Sequence, residues 1–250
     1  MRWDWILPEP VSNLGAEIDS IYYLILIITG VIFVLVEVAL VWFLIRYRRR
    51  DGRRAEYSHG NKTAEVVWTV IPFVLVLYIA YTSNGVWLKA KLADREGGAP
   101  ADAVPMRVMA KQFEWNVTYP GSDGRLDTDD DFIVRNQLHV PVNRAVRIEL
   151  GSEDVIHSLF LPDLRVKQDA VPGMVIPVWF EAIKAGEYAW ACAELCGLGH
   201  YRMRATVTVH EAGEFEQWQA SQGAAEAARI APADTTTASP QTTSESEESA

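Results

Sequence analysis

The chain has 250 residues, of which 49% are hydrophobic, and a formal net charge of -10 at pH 7. The charge is uneven: residues 1–100 carry 11 basic and 10 acidic side chains, whereas residues 101–220 carry 11 and 18. An acidic soluble region repels phosphate groups, which excludes nucleic acid as the partner. It favours a basic protein partner instead, because opposite potentials speed the encounter of two proteins.

The first apolar stretch, residues 21–45, contains one acid and no base. Its length exceeds the roughly 20 residues that are needed to cross a bilayer. A secretory signal would begin with basic residues and have a shorter apolar core. Because residues 1–20 are mixed and acidic, we expect an uncleaved transmembrane helix.

A second apolar stretch covers residues 66–86, and the loop before it is strongly basic. The basic residues of this loop are Arg46, Arg48, Arg49, Arg50, Arg53, Arg54 and Lys62. Short basic loops stay in the cytoplasm. We therefore predict a transmembrane hairpin over residues 21–96 in a bacterial cell membrane, with residues 1–20 and the rest of the chain on the periplasmic side.

Two acidic residues belong to the predicted membrane segments: Glu37 within the first span and Glu65 at the cytoplasmic edge of the second. Charged side chains inside a membrane are costly, and they usually face protein or water. The two-helix anchor is therefore expected to belong to a larger complex in contact with membrane lipid.

Residues 106–220, after a linker at 97–105, contain short segments rich in Val, Ile, Trp and Phe that are separated by turn residues. Examples are Arg107–Trp115, Ala145–Leu150, Val155–Leu161, Ile176–Glu181, Glu187–Ala191 and Arg204–Val209. This pattern predicts a small antiparallel β-sandwich or barrel. One amphipathic helix is predicted at Glu211–Ala220, and the polar, acidic residues 221–250 are expected to be a disordered tail.

Two thiols, an imidazole and a thioether fall close together near the end of this region, at Cys192, Cys196, His200 and Met203. A further histidine, His157, precedes them. Soft sulfur ligands combined with imidazole favour copper. A mononuclear blue copper site needs only one thiolate, whereas this set can supply two copper ions that share both sulfurs.

Other interpretations of the same residues stay open at this point. A disulfide between Cys192 and Cys196 is compatible with an oxidising compartment. Zinc could bind two cysteines and two histidines, but it has no need of Met203. A histidine such as His157 is by itself more often structural. The remaining histidines lack cysteine neighbours and are predicted not to be ligands: His59, His139 and His210.

The sequences CAELCGLGHYRM, from Cys192 to Met203, and SEDVIHS, from Ser152 to Ser158, resemble the two halves of the CuA site in subunit II of cytochrome c oxidases. The resemblance extends over residues 20–215. TAEVVWTVIP, from Thr63, resembles the start of that family's second helix, and VKQDAVPG, from Val166, resembles the turn before its ligands. The family resemblance implies a two-helix transmembrane hairpin followed by an all-β, cupredoxin-like Greek-key barrel.

The resemblance also implies roles for individual residues. The copper ligands would be His157, Cys192, Cys196, His200, Met203 and the backbone carbonyl of Glu194. The side chain of Glu194 would reach a magnesium or manganese ion shared with subunit I, and Glu65 would lie at the mouth of a proton pathway.

The family resemblance further implies that electrons come from cytochrome c or a similar donor and pass to the haem of subunit I. Oxygen is reduced to water there, in a reaction coupled to proton translocation. The chain would be one subunit of an enzyme, without haem of its own, and subunit III is an expected neighbour.

The sequence departs from the family at Gln112-Phe113-Glu114-Trp115, where the pattern is often QWYW. The first tryptophan of that pattern usually receives the electron. Phe113 replaces it and lacks an indole N–H, although its flat face can still pack against a donor. Phe113 and Trp115 are the predicted point of electron arrival, and the identity of the donor stays open. Met174 also follows Pro172-Gly173, where an arginine is common.

Three other functions fit parts of the pattern less well than an oxidase subunit does. A quinol oxidase subunit II has the same fold but lacks the copper ligands. A membrane-anchored copper carrier or sensor needs fewer ligands and has no need of Glu65. Nitrous oxide reductase has a similar copper pair but no paired membrane helices. The acidic run Asp127–Asp131 either steers a donor or is a solvated loop. Since the chain has no Cys-x-x-Cys-His, no fused c-type haem is expected.

Overall fold

The computed structural model describes residues 6–54, 57–91 and 99–230, without the side chains of 227–230. It begins with two long helices, α1 at Gly15–Arg46 and α2 at Lys62–Lys91. Both are long and apolar enough to cross a membrane, and no part of their most apolar windows is buried against the described protein. A core helix of a soluble protein would be covered, so lipid or other membrane subunits surround these helices.

Both helices extend beyond the apolar stretches that predicted them. The Asn61 side chain accepts a hydrogen bond from the Ala64 backbone N–H (3.1 Å) and caps the start of α2. The helical backbone hydrogen bonding continues through the polar residues at both ends, because it does not require apolar side chains. The helices are therefore longer than the apolar stretches. Five parts of the predicted organisation lie outside the described residues: 1–5 of the N-terminal segment, 55–56 of the basic loop, 92–96 at the end of the hairpin, 97–98 of the linker and 231–250 of the tail.

The rest of the described chain forms ten strands in two five-stranded sheets. The strands are β1 Val104–Lys111, β2 Glu114–Tyr119, β3 Phe132–Arg135, β4 Gln137–Pro141, β5 Ala145–Ser152, β6 His157–Leu161, β7 Val166–Ala170, β8 Ile176–Glu181, β9 Gly186–Cys192 and β10 Arg204–His210. The strand order is β3-β2-β1-β5-β8 in one sheet and β4-β10-β9-β6-β7 in the other. Pairings β1–β5 and β4–β10 are parallel, and the remaining pairings are antiparallel.

The core lies between the two sheets, because alternate residues of the strands point inwards. In β1 every second residue from Val104 is buried. The largest fully buried side chains include Trp115, Trp190, Tyr119, Phe180 and Phe215. Burial of a large apolar side chain contributes about 1.5–3 kcal/mol each, so this core accounts for much of the sandwich's stability.

The structure corrects three predictions about the chain's organisation. The predicted single strand Arg107–Trp115 is two strands that reverse at Gln112–Phe113. The first of them begins at Val104, inside the predicted linker, because Val104 pairs with Val146 of β5. The C-terminal helix α3, Glu214–Ile230, continues past residue 221, where a disordered tail was predicted. Alanine-rich segments favour helix, and an anchored first turn lets the helix continue.

The N-terminal segment joins the anchor to the β-sandwich. The Val11 N–H donates to the carbonyl of Asp163, and the Asn13 N–H donates to the carbonyl of Glu181 in β8. Arg165 donates to both carboxylate oxygens of Asp19 in α1, at 2.6 and 3.0 Å. Both side chains of this ion pair are almost completely buried. The N-terminal segment and the sandwich therefore lie at the same end of the helical hairpin.

A stack of aromatic rings fastens α3 to the sandwich. The ring of Trp218 lies on that of His139, with centroids 4.0 Å apart and an angle of 15°. His139 Nδ1 is 2.8 Å from Nε2 of His210, so one imidazole donates to the other. Burial, and then the charge of His210, lower the pKa of His139 to about 4. His139 is therefore neutral in the folded protein at neutral pH.

The lowered pKa of His139 predicts acid sensitivity. The unfolded chain binds a proton at this side chain near the ordinary pKa of 6.5, and the folded chain only near 4. The neutral imidazole therefore stabilises the fold fully above pH 6.5, and this stabilisation is lost as the pH falls from 6.5 to 4. We expect the free energy of unfolding to decrease less between pH 7 and pH 5 in His139→Gln than in the unmutated chain. Urea unfolding of the detergent-solubilised chain measures this difference; equal decreases would contradict the assignment.

Candidate metal centre

Strand pairing brings two of the predicted ligands together. His157 is the first residue of β6 and Cys192 is the last of β9. The two strands are adjacent, with Leu159 opposite Cys192. The N–H of Ala193 donates to the carbonyl of Ser158 (3.0 Å), so the pairing continues past the thiol. Residues that are 35 positions apart in sequence thus meet at one end of the sandwich.

A compact loop returns the remaining predicted ligands to the same place. A 3₁₀ turn, His200–Arg202, follows Cys196, and the Met203 N–H donates to the carbonyl of His200 (3.1 Å). The Cys192 N–H then donates to the carbonyl of Met203 (3.0 Å). The loop therefore closes on its own starting point, and the thioether of Met203 lies beside the thiol of Cys196.

The sulfur and nitrogen atoms of these side chains form one cluster. The Sγ atoms of Cys192 and Cys196 are 3.9 Å apart. Cys192 Sγ lies 3.9 Å from His157 Nδ1 and 3.2 Å from the carbonyl oxygen of Glu194. Around Cys196 Sγ, His200 Nδ1 is at 3.7 Å and the Met203 Sδ at 3.8 Å. All six predicted donor groups therefore belong to one cluster centred on the pair of thiols.

The thiols are shielded from solvent. Cys192, Cys196, His157 and Met203 are buried, while His200 is half-buried. Burial, and then the neighbouring Cys192, raise the pKa of Cys196 to about 11. The ligand atoms of His157, Cys192 and Cys196 all lie within 4.8 Å of one another, close enough for one ion to contact all three.

A carboxylate that the sequence patterns did not single out orients His157. Asp154 Oδ1 is 2.9 Å from His157 Nε2, which leaves Nδ1 directed at Cys192. Such a partner on the far nitrogen is common for histidines that bind metals, because it sets the ring orientation and tautomer. The position of Asp154, three residues before His157 in SEDVIHS, is the sequence signal that could have indicated this orienting role.

The turn between β1 and β2 packs on the ligand loop. Gln112 Nε2 donates to the carbonyl of Cys196 (2.6 Å). The ring of Phe113 lies against Gly197 and Gly199, and a methyl group added at Gly199 would overlap that ring. Nothing local in the sequence predicted this approach, because the turn contains neither glycine nor proline.

The burial of Trp115 corrects part of the prediction about electron arrival. Trp115 has no exposed surface and packs between the sheets, 4.8 Å from the ring of Trp190 and 6.1 Å from that of His157. A donor protein cannot contact it. Phe113 is half-buried and keeps part of its ring at the surface.

Several large apolar side chains in the segments around the predicted ligands are exposed. They are Val155, Ile156, Met174, Val175, Leu195, Leu198 and Tyr201. Leu198, in the centre of the ligand loop, is 94% exposed. Exposed apolar patches of this kind mark surfaces that meet other proteins.

The predicted acidic residues outside the cluster have different surroundings. The carboxylate of Glu194 is exposed beside the cluster, and Glu65 lies exposed in the first turn of α2. In the acidic run, Asp127 is paired with Arg107 (2.7 and 2.9 Å) and Asp130 accepts hydrogen bonds from Ser122. These internal contacts favour a structural role for the run, since they reduce the charge available to steer a donor.

Fold and site together define a membrane-anchored β-sandwich protein with a sulfur-rich metal centre at one end. The family model described as Cytochrome C oxidase subunit II, transmembrane domain, matches residues 1–86. The one described as Cytochrome C oxidase subunit II, periplasmic domain, matches residues 118–210.

Individual relatives agree with the family models. The alternative cytochrome c oxidase subunit 2 of Bradyrhizobium diazoefficiens is 32% identical over 238 residues, covering 86% of this chain and 83% of the relative. Cytochrome c oxidase subunit 2 of Thermostichus vulcanus is 30% identical over 276 residues, covering 91% and 81%. The solved periplasmic domain of subunit II of cytochrome oxidase from Bradyrhizobium japonicum is 30% identical, with a TM-score of 0.45 over 50% of this chain and 97% of that one.

The chain belongs to the cytochrome c oxidase subunit II family. It is a membrane protein with an extramembrane cupredoxin-like domain, and it is a component of an oxidase complex. The predictions of family and fold class are confirmed.

The close packing of Phe113 on the ligand loop can be tested at Gly199. We expect Gly199→Ala to lower the free energy of unfolding by about 1–3 kcal/mol, because the added methyl group overpacks against the ring. Gly223→Ala in α3 is the matched control: nothing lies within 4 Å of the added carbon, and alanine favours helix by up to about 1 kcal/mol. Denaturant unfolding of both variants gives the comparison, and an unchanged midpoint for Gly199→Ala would contradict the packing.

Proposed function

We propose that this subunit accepts electrons at a dinuclear copper centre and passes them to haem in subunit I. The observation that carries the proposal is the pair of thiols 3.9 Å apart, surrounded by two imidazoles, a thioether and a carbonyl oxygen. Soft ligands of this kind favour copper. A zinc site of four ligands would leave Met203 without a function, although its sulfur is buried against Cys196.

The ligand set fits two ions better than one. His157 lies beside Cys192, whereas His200 and Met203 lie beside Cys196, so donors are divided between the two sides of the thiol pair. A copper pair bridged by both thiolates would supply one-electron transfer with little change of ligand geometry. The chain's contribution is to exclude water from the sulfurs and to hold the ligands in fixed positions.

The donor is proposed to be cytochrome c or a similar small redox protein that docks over the exposed apolar side chains around the ligand loop. Support comes from Leu198 and Tyr201, which are exposed in this loop, and from the surface part of the Phe113 ring next to it. Of the two residues predicted for electron arrival, only Phe113 can meet the donor in this proposal, since Trp115 is buried. Oxygen is then reduced to water in subunit I, with proton translocation.

Contacts with the other subunits are proposed at three acids. The exposed carboxylate of Glu194 would share a magnesium or manganese ion with subunit I, and Glu65 would lie at the mouth of a proton pathway. Glu37 precedes the end of α1 at Arg46 by nine residues, about 13 Å along the axis. It is exposed and has no hydrogen bond or ion pair within the described residues. A helix of subunit I or III would satisfy it.

The orientation in the membrane is proposed from the arginine-rich loop between the helices. This loop would lie in the cytoplasm of a bacterial cell. The sandwich and the N-terminal segment, which lie together at the opposite end of the hairpin, would then face the periplasm, where small redox proteins are available.

The copper content of the whole chain tests this function. We expect two copper ions per chain and an EPR hyperfine pattern of one unpaired electron shared equally by two copper nuclei. His157→Gln should abolish that pattern because it removes a ligand. His139→Gln, which changes another buried histidine of the same sandwich, should preserve it. A single copper, zinc alone, or a Cys192–Cys196 disulfide without metal uptake would contradict the proposal.

A further inference from the structure

The turn between β1 and β2, Lys111–Glu114, lies across both segments that carry the proposed ligands. One segment is the loop 153–156 that leads into His157, and the other is the loop 193–199 that follows Cys192. The two loops come from distant parts of the chain. Their relative position therefore depends on non-covalent contacts at this end of the sandwich.

Gln112 makes one hydrogen bond to each of these two loops. Its backbone N–H donates to Oδ2 of Asp154 (2.7 Å), and Oδ1 of the same carboxylate lies 2.9 Å from Nε2 of His157. Its side-chain Nε2 donates to the carbonyl oxygen of Cys196 at 2.6 Å. Gln112, which is not a ligand, thus connects the carboxylate that orients His157 with the backbone of Cys196.

The glycine after Cys196 makes this connection feasible. Gly197 has a φ of 129°, a backbone conformation that residues with a side chain rarely adopt. A Cβ at this position would lie only 2.8 Å from Gln112 Nε2. The missing side chain leaves room for the amide to reach the carbonyl. The ring of Phe113 covers the same loop, so hydrogen bonds and packing act together.

We propose that Gln112 is a positioning residue that holds the two ligand loops at a fixed separation, an inference that rests on the copper function proposed above. Gln112 is not part of the sandwich core. Its loss should therefore affect metal retention more than the stability of the fold. Partners that orient metal ligands typically change metal affinity by about 10–100-fold when they are removed.

The test compares variants of the full-length chain, loaded with copper in detergent, by the rate of copper loss to a chelator and by EPR. We expect Gln112→Leu to lose copper about 10–100-fold faster, with altered copper hyperfine splitting and an unchanged urea midpoint. Glu114→Gln is the matched control, because Glu114 belongs to the same turn but pairs with Lys111 (3.0 Å) and Arg135 (3.9 Å). It should lose copper at the unmutated rate.

Two further variants separate positioning from general loosening of the turn. Gln112→Lys supplies a new N–H donor for the Cys196 carbonyl and should recover part of the lost retention. Asp154→Asn weakens the other side of the connection. Combined with Gln112→Leu, it should give less than the product of the two single effects, because both act through one connection.

Copper loss from Gln112→Leu at the unmutated rate would overturn the inference. So would an equal acceleration in Glu114→Gln, or single effects that multiply fully in the double variant. Failure of the unmutated chain to bind two copper ions would instead refute the proposed function, which keeps the two claims distinguishable.

Discussion

The pairing of β6 with β9 is the constraint on which the site depends. It places His157 at the start of one strand beside Cys192 at the end of its neighbour, and the hydrogen bond from Ala193 to Ser158 extends the pairing into the ligand loop. The core of the sandwich fixes both strands, so the thiol and the imidazole meet before any metal is bound. The backbone hydrogen bond from the Cys192 N–H to the Met203 carbonyl then closes the ligand loop on itself. Rigid placement of this kind is what an electron-transfer centre requires, since ligands that move little keep the energetic cost of electron transfer low.

The ligand candidates could be predicted from sequence because they lie within short segments whose spacing is itself the signal. The membrane helices could be predicted because an uninterrupted stretch of about twenty apolar residues is typical of a membrane span. The chain reversal at Gln112–Phe113 could not be predicted from the sequence, because it contains no typical turn residue. It is determined by the pairing of β1 with β2 and by contact with the distant ligand loop. The same holds for the burial of Trp115, because alternation along a strand does not reveal which face another sheet will cover. The length of helix α3 was underestimated for a related reason: the helix is anchored near its start by the stack of Trp218 on His139, which no local pattern shows.

The anchor and the sandwich are connected by more than the chain between them. Hydrogen bonds from the N-terminal segment add it to the edge of β8, and the buried pair of Arg165 and Asp19 joins α1 to the loop before β7. A buried ion pair contributes little net stability, but breaking it leaves an uncompensated charge, so it favours one arrangement over others. The candidate metal centre is therefore presented to membrane-embedded neighbours in a defined orientation, as the proposed transfer of electrons to subunit I requires.

The order in which electrons reach the metal centres tests the central claim most directly. In the assembled oxidase, a flash-activated reductant would inject single electrons while the near-infrared absorbance of copper and the visible absorbance of haem are followed together. Our account predicts that copper is reduced first, that haem follows as copper is reoxidised, and that Cys196→Ser in the assembled complex slows haem reduction sharply. Equally fast haem reduction in the complex carrying Cys196→Ser would contradict it, because electrons would then reach subunit I without passing through this subunit.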